Sequence, residues 1–219
     1  MRLVAGWILA ILLCLPDIPG AQAQDVSAVV ARLEQRYASV KTVTGSFQQT
    51  YRAPGINQSE SGTFWLKKPG LMRWEYRQPE EKLFIANEKE SYLYVPFDRQ
   101  VTIQDFNPSD LYGTPLELLL GAGGIHKNFT ASWEADIRPK TEKPFLIRLE
   151  PRGGESTYSF LVLELDRETC DVRRIMIREK TGNTSEFLLT DMTTNVKIED
   201  GKFQFKIPKG IEVVRLTGE

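Results

Sequence analysis

From Val43 almost to the end of the chain, apolar residues recur at every second position. This period constrains the fold more than any other feature, because it is the period of a half-buried strand. Val43, Phe47 and Tyr51 alternate with Thr44, Ser46, Gln48 and Thr50. Phe129, Ala131, Trp133, Ala135 and Ile137 repeat the pattern, as do Phe145, Ile147 and Leu149. Turn-forming residues separate the runs, among them Pro54-Gly55, Pro69-Gly70 and Thr181-Gly182-Asn183. The reading predicts strands over 43–51, 62–67, 71–77, 83–86, 91–95, 100–105, 129–137, 145–149, 158–165, 172–179, 186–192, 203–207 and 211–214. A sheet made of about eleven of these strands curls, either closing into a barrel or staying open as a curved half-barrel.

The stretch 62–79, GTFWLKKPGLMRWEYRQP, carries the strongest local signal. Two aromatic-rich arms flank Pro69-Gly70, which has the composition of a type II turn. Phe64 and Leu66 share one parity of the first arm, and Lys68 lies on the same side. Met72, Trp74 and Tyr76 share one face of the second arm, with Arg73, Glu75 and Arg77 on the other. One face is therefore expected to be greasy and the other wet.

Helical periodicity is confined to short pieces. Val26, Val29, Val30, Leu33 and Tyr37 mark one face of a helix over 25–37, with Asp25 placed to cap it. Thr114-Pro115-Leu116-Glu117 has the form of a capped helix start, followed by Leu118, Leu119 and Leu120 and ended by Gly121. A helix of about two turns is not stable alone in water, so this one must dock on apolar surface. Two short helices laid over so wide a sheet would leave an apolar space beneath them, as a binding protein for an apolar ligand requires. The same periodicity also fits a β-sandwich or an α+β core with no cavity.

The N-terminus has the plan of an export signal. Arg2 precedes an apolar run over 3–15, and Ala21-Gln22-Ala23 forms a small-x-small cleavage site. Cleavage after Ala23 would remove 1–23 and leave 24–219 as a single domain. Cys14 would leave with the signal and Cys170 would remain alone in a turn, without an internal disulfide. The 219 residues hold 28 basic and 29 acidic side chains, for a net charge of −1. That balance gives no footprint for nucleic acid.

Catalytic patterns are scarce. His126 is the only histidine, with no Cys, His or Asp at ligand spacing, so no metal site is expected. There is no G-x-S-x-G, and Gly121-Ala122-Gly123-Gly124 follows a helix instead of opening one, unlike a phosphate loop. Asn57, Asn128 and Asn183 begin short glycosylation sequons with no other feature in support.

Several stretches together resemble the LolA family of outer-membrane lipoprotein carrier proteins. They are Gly45-Ser46-Phe47-Gln48-Gln49, Gly62-Thr63-Phe64-Trp65-Leu66-Lys67-Lys68-Pro69, Arg73-Trp74-Glu75-Tyr76 with Pro79, Thr114-Pro115 with its leucines, and Phe203–Pro208 with Gly210-Ile211-Glu212-Val213. The resemblance implies a mainly β (α+β) fold, an unclosed antiparallel β-barrel with short helices as a lid over an apolar cavity. It implies a non-enzymatic periplasmic carrier without cofactors, working as a monomer. Acylated lipoproteins would come from an inner-membrane ABC transporter and go to the outer-membrane receptor LolB. It places Phe47, Phe64, Leu66, Met72 and Trp74 in the cavity wall and Leu116, Leu118 and Leu119 in the lid. Lys68 stands where the family usually has an arginine that hydrogen-bonds the lid. Lysine lacks the planar fork of arginine, and a solvated turn lysine is the plainer alternative. Two other readings stay open: a lipid-sensing regulatory module of the same fold, and an enzyme using an apolar pocket. The regulatory module would carry a further domain, whereas this chain ends soon after its last strand.

Overall fold

The computed structural model describes residues 25–107, 119, 124–153 and 156–216. The expected signal segment and most of the helix expected after Thr114 lie outside the described residues, and so do Leu116 and Leu118. The described residues form one twelve-stranded sheet with the order β12-β6-β5-β4-β3-β2-β1-β11-β10-β9-β8-β7. In chain order the strands are β1 (Thr42–Ala53), β2 (Ile56–Lys67), β3 (Leu71–Gln78), β4 (Lys82–Asn87), β5 (Glu90–Val95) and β6 (Gln100–Asp105). Then come β7 (Phe129–Trp133), β8 (Phe145–Pro151), β9 (Tyr158–Leu165), β10 (Val172–Glu179), β11 (Thr184–Thr194) and β12 (Glu212–Leu216). The sheet is unclosed: β12 and β7 are its edges.

Helix α1 (Val26–Ala38) covers part of one face. Asp25 Oδ1 accepts a hydrogen bond from Ser27 N at 3.1 Å, which satisfies one of the unpaired N–H groups of the first turn. Val29, Val30, Leu33 and Tyr37 are buried in the main core. A one-turn helix, α2 (Ile125–Asn128), leads into β7. No helix among the described residues is long and apolar enough to cross a membrane.

β1 and β2 pair along their whole length, from Thr42↔Lys67 to Ala53↔Ile56. Two glycines let bulky rings cross this pair. Gly45 lies opposite Phe64, and Gly62 opposite Phe47. A Cβ on Gly62 would meet the Glu75 carbonyl oxygen at 1.9 Å and the Phe47 ring at 3.0 Å. A Cβ on Gly45 would meet the Thr190 carbonyl oxygen at 2.8 Å. Both positions lie beside register shifts, where a bulge bends the strand.

The structure corrects several expectations. β12 pairs with β6 in parallel, so the sheet is not wholly antiparallel. The expected strand at 203–207 is absent: Asp200–Phe203 is a 3₁₀ turn, and Phe203 is buried by its packing against β3 and β4. The segment after β11 must pass behind the sheet to reach β6, and this turn is part of that crossing. The wet face expected for the hairpin is therefore covered. Arg73 Nη1 donates to Lys202 O at 3.0 Å, and Lys202 Nζ lies 3.7 Å from the Trp65 ring centre. Gly70 lacks the positive φ that a type II turn demands, and Lys68–Pro69 is cis. β7 stops at Trp133, short of the expected Ile137, because the Glu134 carboxylate accepts from Asp136 N at 2.7 Å and Ile137 N at 3.1 Å. These bonds draw the backbone out of the ladder.

Candidate functional site

The concave face is built from one parity of each strand. Register pairs set Phe64 beside Trp74, Leu66 beside Met72, and Phe47 beside Leu189. Phe47, Phe64, Leu66, Met72 and Trp74 are all at most 5% exposed and belong to one cluster. Leu119 is 1% exposed and sits in the same cluster. Of the predicted wall and lid residues, all that fall among the described residues thus come together.

Aromatic contacts give this floor its shape. Phe64 stacks on Trp74 with centroids 4.9 Å apart. Phe47 meets Trp74 edge-on at 4.9 Å and Tyr76 edge-on at 4.9 Å. Trp74 reaches across to Phe187 of β11 at 5.8 Å. Such pairs add about 0.5–1.5 kcal/mol each beyond burial and stiffen the floor.

Lys68 projects from the end of β2 toward α1. Its Nζ donates to Tyr37 O at 2.7 Å and to Ala38 O at 3.3 Å. These carbonyls lie in the last turn of α1, where intrahelical donors have run out and the helix dipole favours a cation. Partial burial holds the Lys68 ammonium below the usual lysine range. Tyr37 is fixed as well: its hydroxyl oxygen accepts from Val172 N at 3.1 Å, and burial pushes its pKa up to about 12. The outer face of α1 is tied to the β9–β10 turn. Arg36 Nε donates to Asp171 Oδ1 at 3.0 Å, and Arg32 Nη2 to Arg167 O at 3.3 Å.

Sequence reasoning missed the far wall and the rim. Leu161, Leu163, Leu165, Ile147, Leu149 and Ile175 face the same core from the other half of the sheet. Parity signals these residues, yet without the strand order nothing says that two distant runs share a face. Around this floor Tyr76, Phe84, Phe187 and Ile177 pack against the core while staying half-buried. His126 is not isolated: its Nδ1 lies 2.9 Å from Glu34 Oε1, joining α2 to α1. Cys170 is buried in its turn at φ 57°, and burial pushes its thiol pKa up, so it is a poor nucleophile. No group of three potential metal ligands occurs among the described residues. A separate groove of about 590 Å³ near the foot of α1 is lined by Lys41, Lys67, Lys197, Glu199 and Asp200 among others, and its charged lining sets it apart from the concave face.

The family model described as outer membrane lipoprotein carrier protein LolA matches residues 38–206, a span that runs from the end of α1 across the crossing segment. This chain belongs to the LolA family. A protein of Hahella chejuensis named outer-membrane lipoprotein carrier protein is 28% identical over 207 residues, covering 93% of this chain and 96% of its own. A protein of Bordetella avium with the same name is 28% identical over 219 residues, covering 98% and 97%. An uncharacterized conserved protein of Thermus thermophilus, solved by crystallography, superposes with a TM-score of 0.55 at 13% identity, covering 88% of this chain and 100% of its own. That likeness concerns the fold. LolA membership sets the curved sheet, its helical cover and the Lys68 contact in one frame.

Proposed function

We propose that this chain is a periplasmic carrier that holds the acyl chains of lipoproteins on its concave face between the inner and outer membranes. The observation that carries the reading is the LolA match over residues 38–206. Curated relatives that align almost end to end are named as carriers, which favours this over a regulatory module of the same fold. In this reading 1–23 is a signal peptide removed on export, and 24–219 is one carrier domain acting as a monomer. Cargo comes from an inner-membrane lipoprotein-releasing ABC transporter and goes to the outer-membrane receptor LolB. Carriage is binding alone and involves no covalent step or cofactor.

The physics of the cycle is competition. Each acyl methylene gains about 0.8 kcal/mol on leaving water, so free cargo would not stay dispersed in the periplasm. A carrier that only bound tightly would never release it. Here Phe47, Phe64, Leu66, Met72 and Trp74 are already covered without cargo. Acyl chains must displace that cover, the proposed lid of Leu116, Leu118 and Leu119 with α1. Binding is weakened by the free energy of opening. Lys68, bonded to the last turn of α1, adds to the closed state and acts as the latch.

Mass spectrometry of material co-purified with the mature protein from a periplasmic extract tests the reading. Acylated lipoproteins are expected in near-stoichiometric amount. Recovery of the protein with free lipids only, or with a signalling partner and no lipoprotein, would overturn it.

A further inference from the structure

The concave face changes character along its strands. At the level of Phe47 and Trp74 it is apolar and buried. One strand repeat further along, roughly 7 Å toward the β1–β2 turn, Gln49 pairs in register with Glu60. Here the Tyr76 hydroxyl donates to Gln49 Oε1 at 2.9 Å, and Gln49 Nε2 reaches Ser185 Oγ at 3.5 Å. Lys82 of β4 is ion-paired with Glu60, and its Nζ lies 4.8 Å from the centre of the Tyr76 ring. The Glu60 and Lys82 side chains are 12% and 24% exposed, so the ring of groups is neither core nor open surface. It is a polar collar set between an apolar floor and water.

We infer that this collar is a subsite for the uncharged ester-and-amide junction of a glyceride-type lipid anchor whose tails lie on the aromatic floor. The inference rests on the carrier reading and adds a selectivity to it. A thioether-linked diacylglyceryl N-acyl-cysteine presents ester carbonyls and an amide, with no charge at the branch point. Gln49 and Ser185 offer donors to those carbonyls, and the Tyr76 oxygen and Gln49 Oε1 offer acceptors to the amide N–H. Burial, with the Glu60 charge adding to it, pushes Tyr76 up to about 12, so its hydroxyl stays neutral throughout the physiological range. Glu60 balances Lys82, so the collar holds no surplus cation for a carboxylate or phosphate head. A fatty acid or phospholipid with similar tails would bring an uncompensated anion to a half-buried neutral site, which is costly. The collar would thus separate lipoprotein anchors from the bulk lipids of the same compartment.

The test compares three ligands on wild type and on Tyr76→Phe, Gln49→Leu and Glu60→Gln: a synthetic tripalmitoylated cysteinyl peptide, palmitate, and a neutral fluorescent hydrocarbon probe. Affinities are read by displacement of the probe and by tryptophan emission. Wild type is expected to prefer the peptide to palmitate. Tyr76→Phe keeps the ring that meets Phe47, so it and Gln49→Leu should each weaken the peptide about fivefold relative to the neutral probe, the worth of one hydrogen bond. Glu60→Gln leaves Lys82 without its counter-charge and should strengthen palmitate severalfold. Equal changes for all three ligands, or an unaltered peptide affinity in both Tyr76→Phe and Gln49→Leu, would overturn the subsite while leaving the carrier reading in place. Failure of wild type to bind the peptide while it binds the probe would instead overturn the carrier reading.

Discussion

Lys68 joins the sheet to α1 through a single ammonium that reaches two carbonyls. Replacing it with leucine removes those bonds and leaves Arg36 as the cation of the last turn of α1. The closed form should lose about 1 kcal/mol. In the proposed cycle closure competes with cargo, so Lys68→Leu is expected to bind acylated cargo up to about fivefold more tightly and to release it to an acceptor more slowly, with far-UV circular dichroism unchanged. Equal transfer rates for variant and wild type would remove Lys68 from the latch role. Lys68→Arg should restore release, since guanidinium can span the same two carbonyls. Gly62 makes a different demand. A methyl group there would sit 1.9 Å from the Glu75 carbonyl oxygen, and that oxygen belongs to backbone in the β2–β3 ladder. Gly62→Ala should cost about 1–3 kcal/mol in urea unfolding by overpacking the strand pair.

Among the elements, the β8–β10 part of the sheet shows how a loop can bury charge. Alternation along β10 sets Arg174 on the side opposite Ile175, yet Arg174 is buried. Residues 138–141 cover this side. Arg174 Nη1 lies 2.5 Å from Glu164 Oε1, and its Nη2 lies 2.5 Å from Glu186 Oε2. Glu164 in turn accepts from Lys140 N at 2.7 Å and Thr141 N at 3.0 Å, which pins the loop. Val162 and Met176 are buried on this outer side as well, which explains why β9 reads as apolar on both parities. Arg174→Met would leave the Glu164 and Glu186 carboxylates facing each other with only the half-exposed Lys140, 3.9 Å from Glu186 Oε1, as counter-charge. It should cost about 3–5 kcal/mol of stability by urea denaturation. The concave face lies on the opposite side, so the affinity of folded protein for acylated cargo should not change.

For the molecule as a whole, the outer surface makes stability depend on acid. Glu75 is disfavoured as a charge by burial, yet hydrogen bonds from Arg73 and Lys202 outweigh this and hold it below the ordinary value of 4.5. Glu134 loses likewise to burial but is held below 4.5 by the N–H groups of Asp136 and Ile137 and by Arg148. Asp166 is held below 3.8, first by the Thr169 N–H. In each case the unfolded chain binds the proton more readily. Their stabilisation is therefore full above the ordinary values and disappears as pH falls through the lower folded values. The urea midpoint should decline progressively below about pH 4.5, and Glu134→Gln should flatten that decline.

Much of this was legible in the residues. Alternation gave away the strands and their faces, and with them the shared side of Phe64, Leu66 and Lys68. The 3.6 period marked α1, and the family stretches pointed to an open curved sheet. These are properties of neighbours in the chain, where side-chain direction follows directly from backbone geometry. The remainder depends on which distant segments meet. Arg73 finds Lys202 across 129 positions, Glu34 meets His126 across 92, and Gln49 takes the Tyr76 hydroxyl across 27. The parallel pairing of β12 with β6, the cover over the outer face of the hairpin and the burial of Arg174 belong to the same class. A polar side chain is satisfied equally well by water or by a partner, so periodicity leaves its environment open. The folding of the open sheet with its covering segments chose among those outcomes, because it decides which polar groups lose access to solvent.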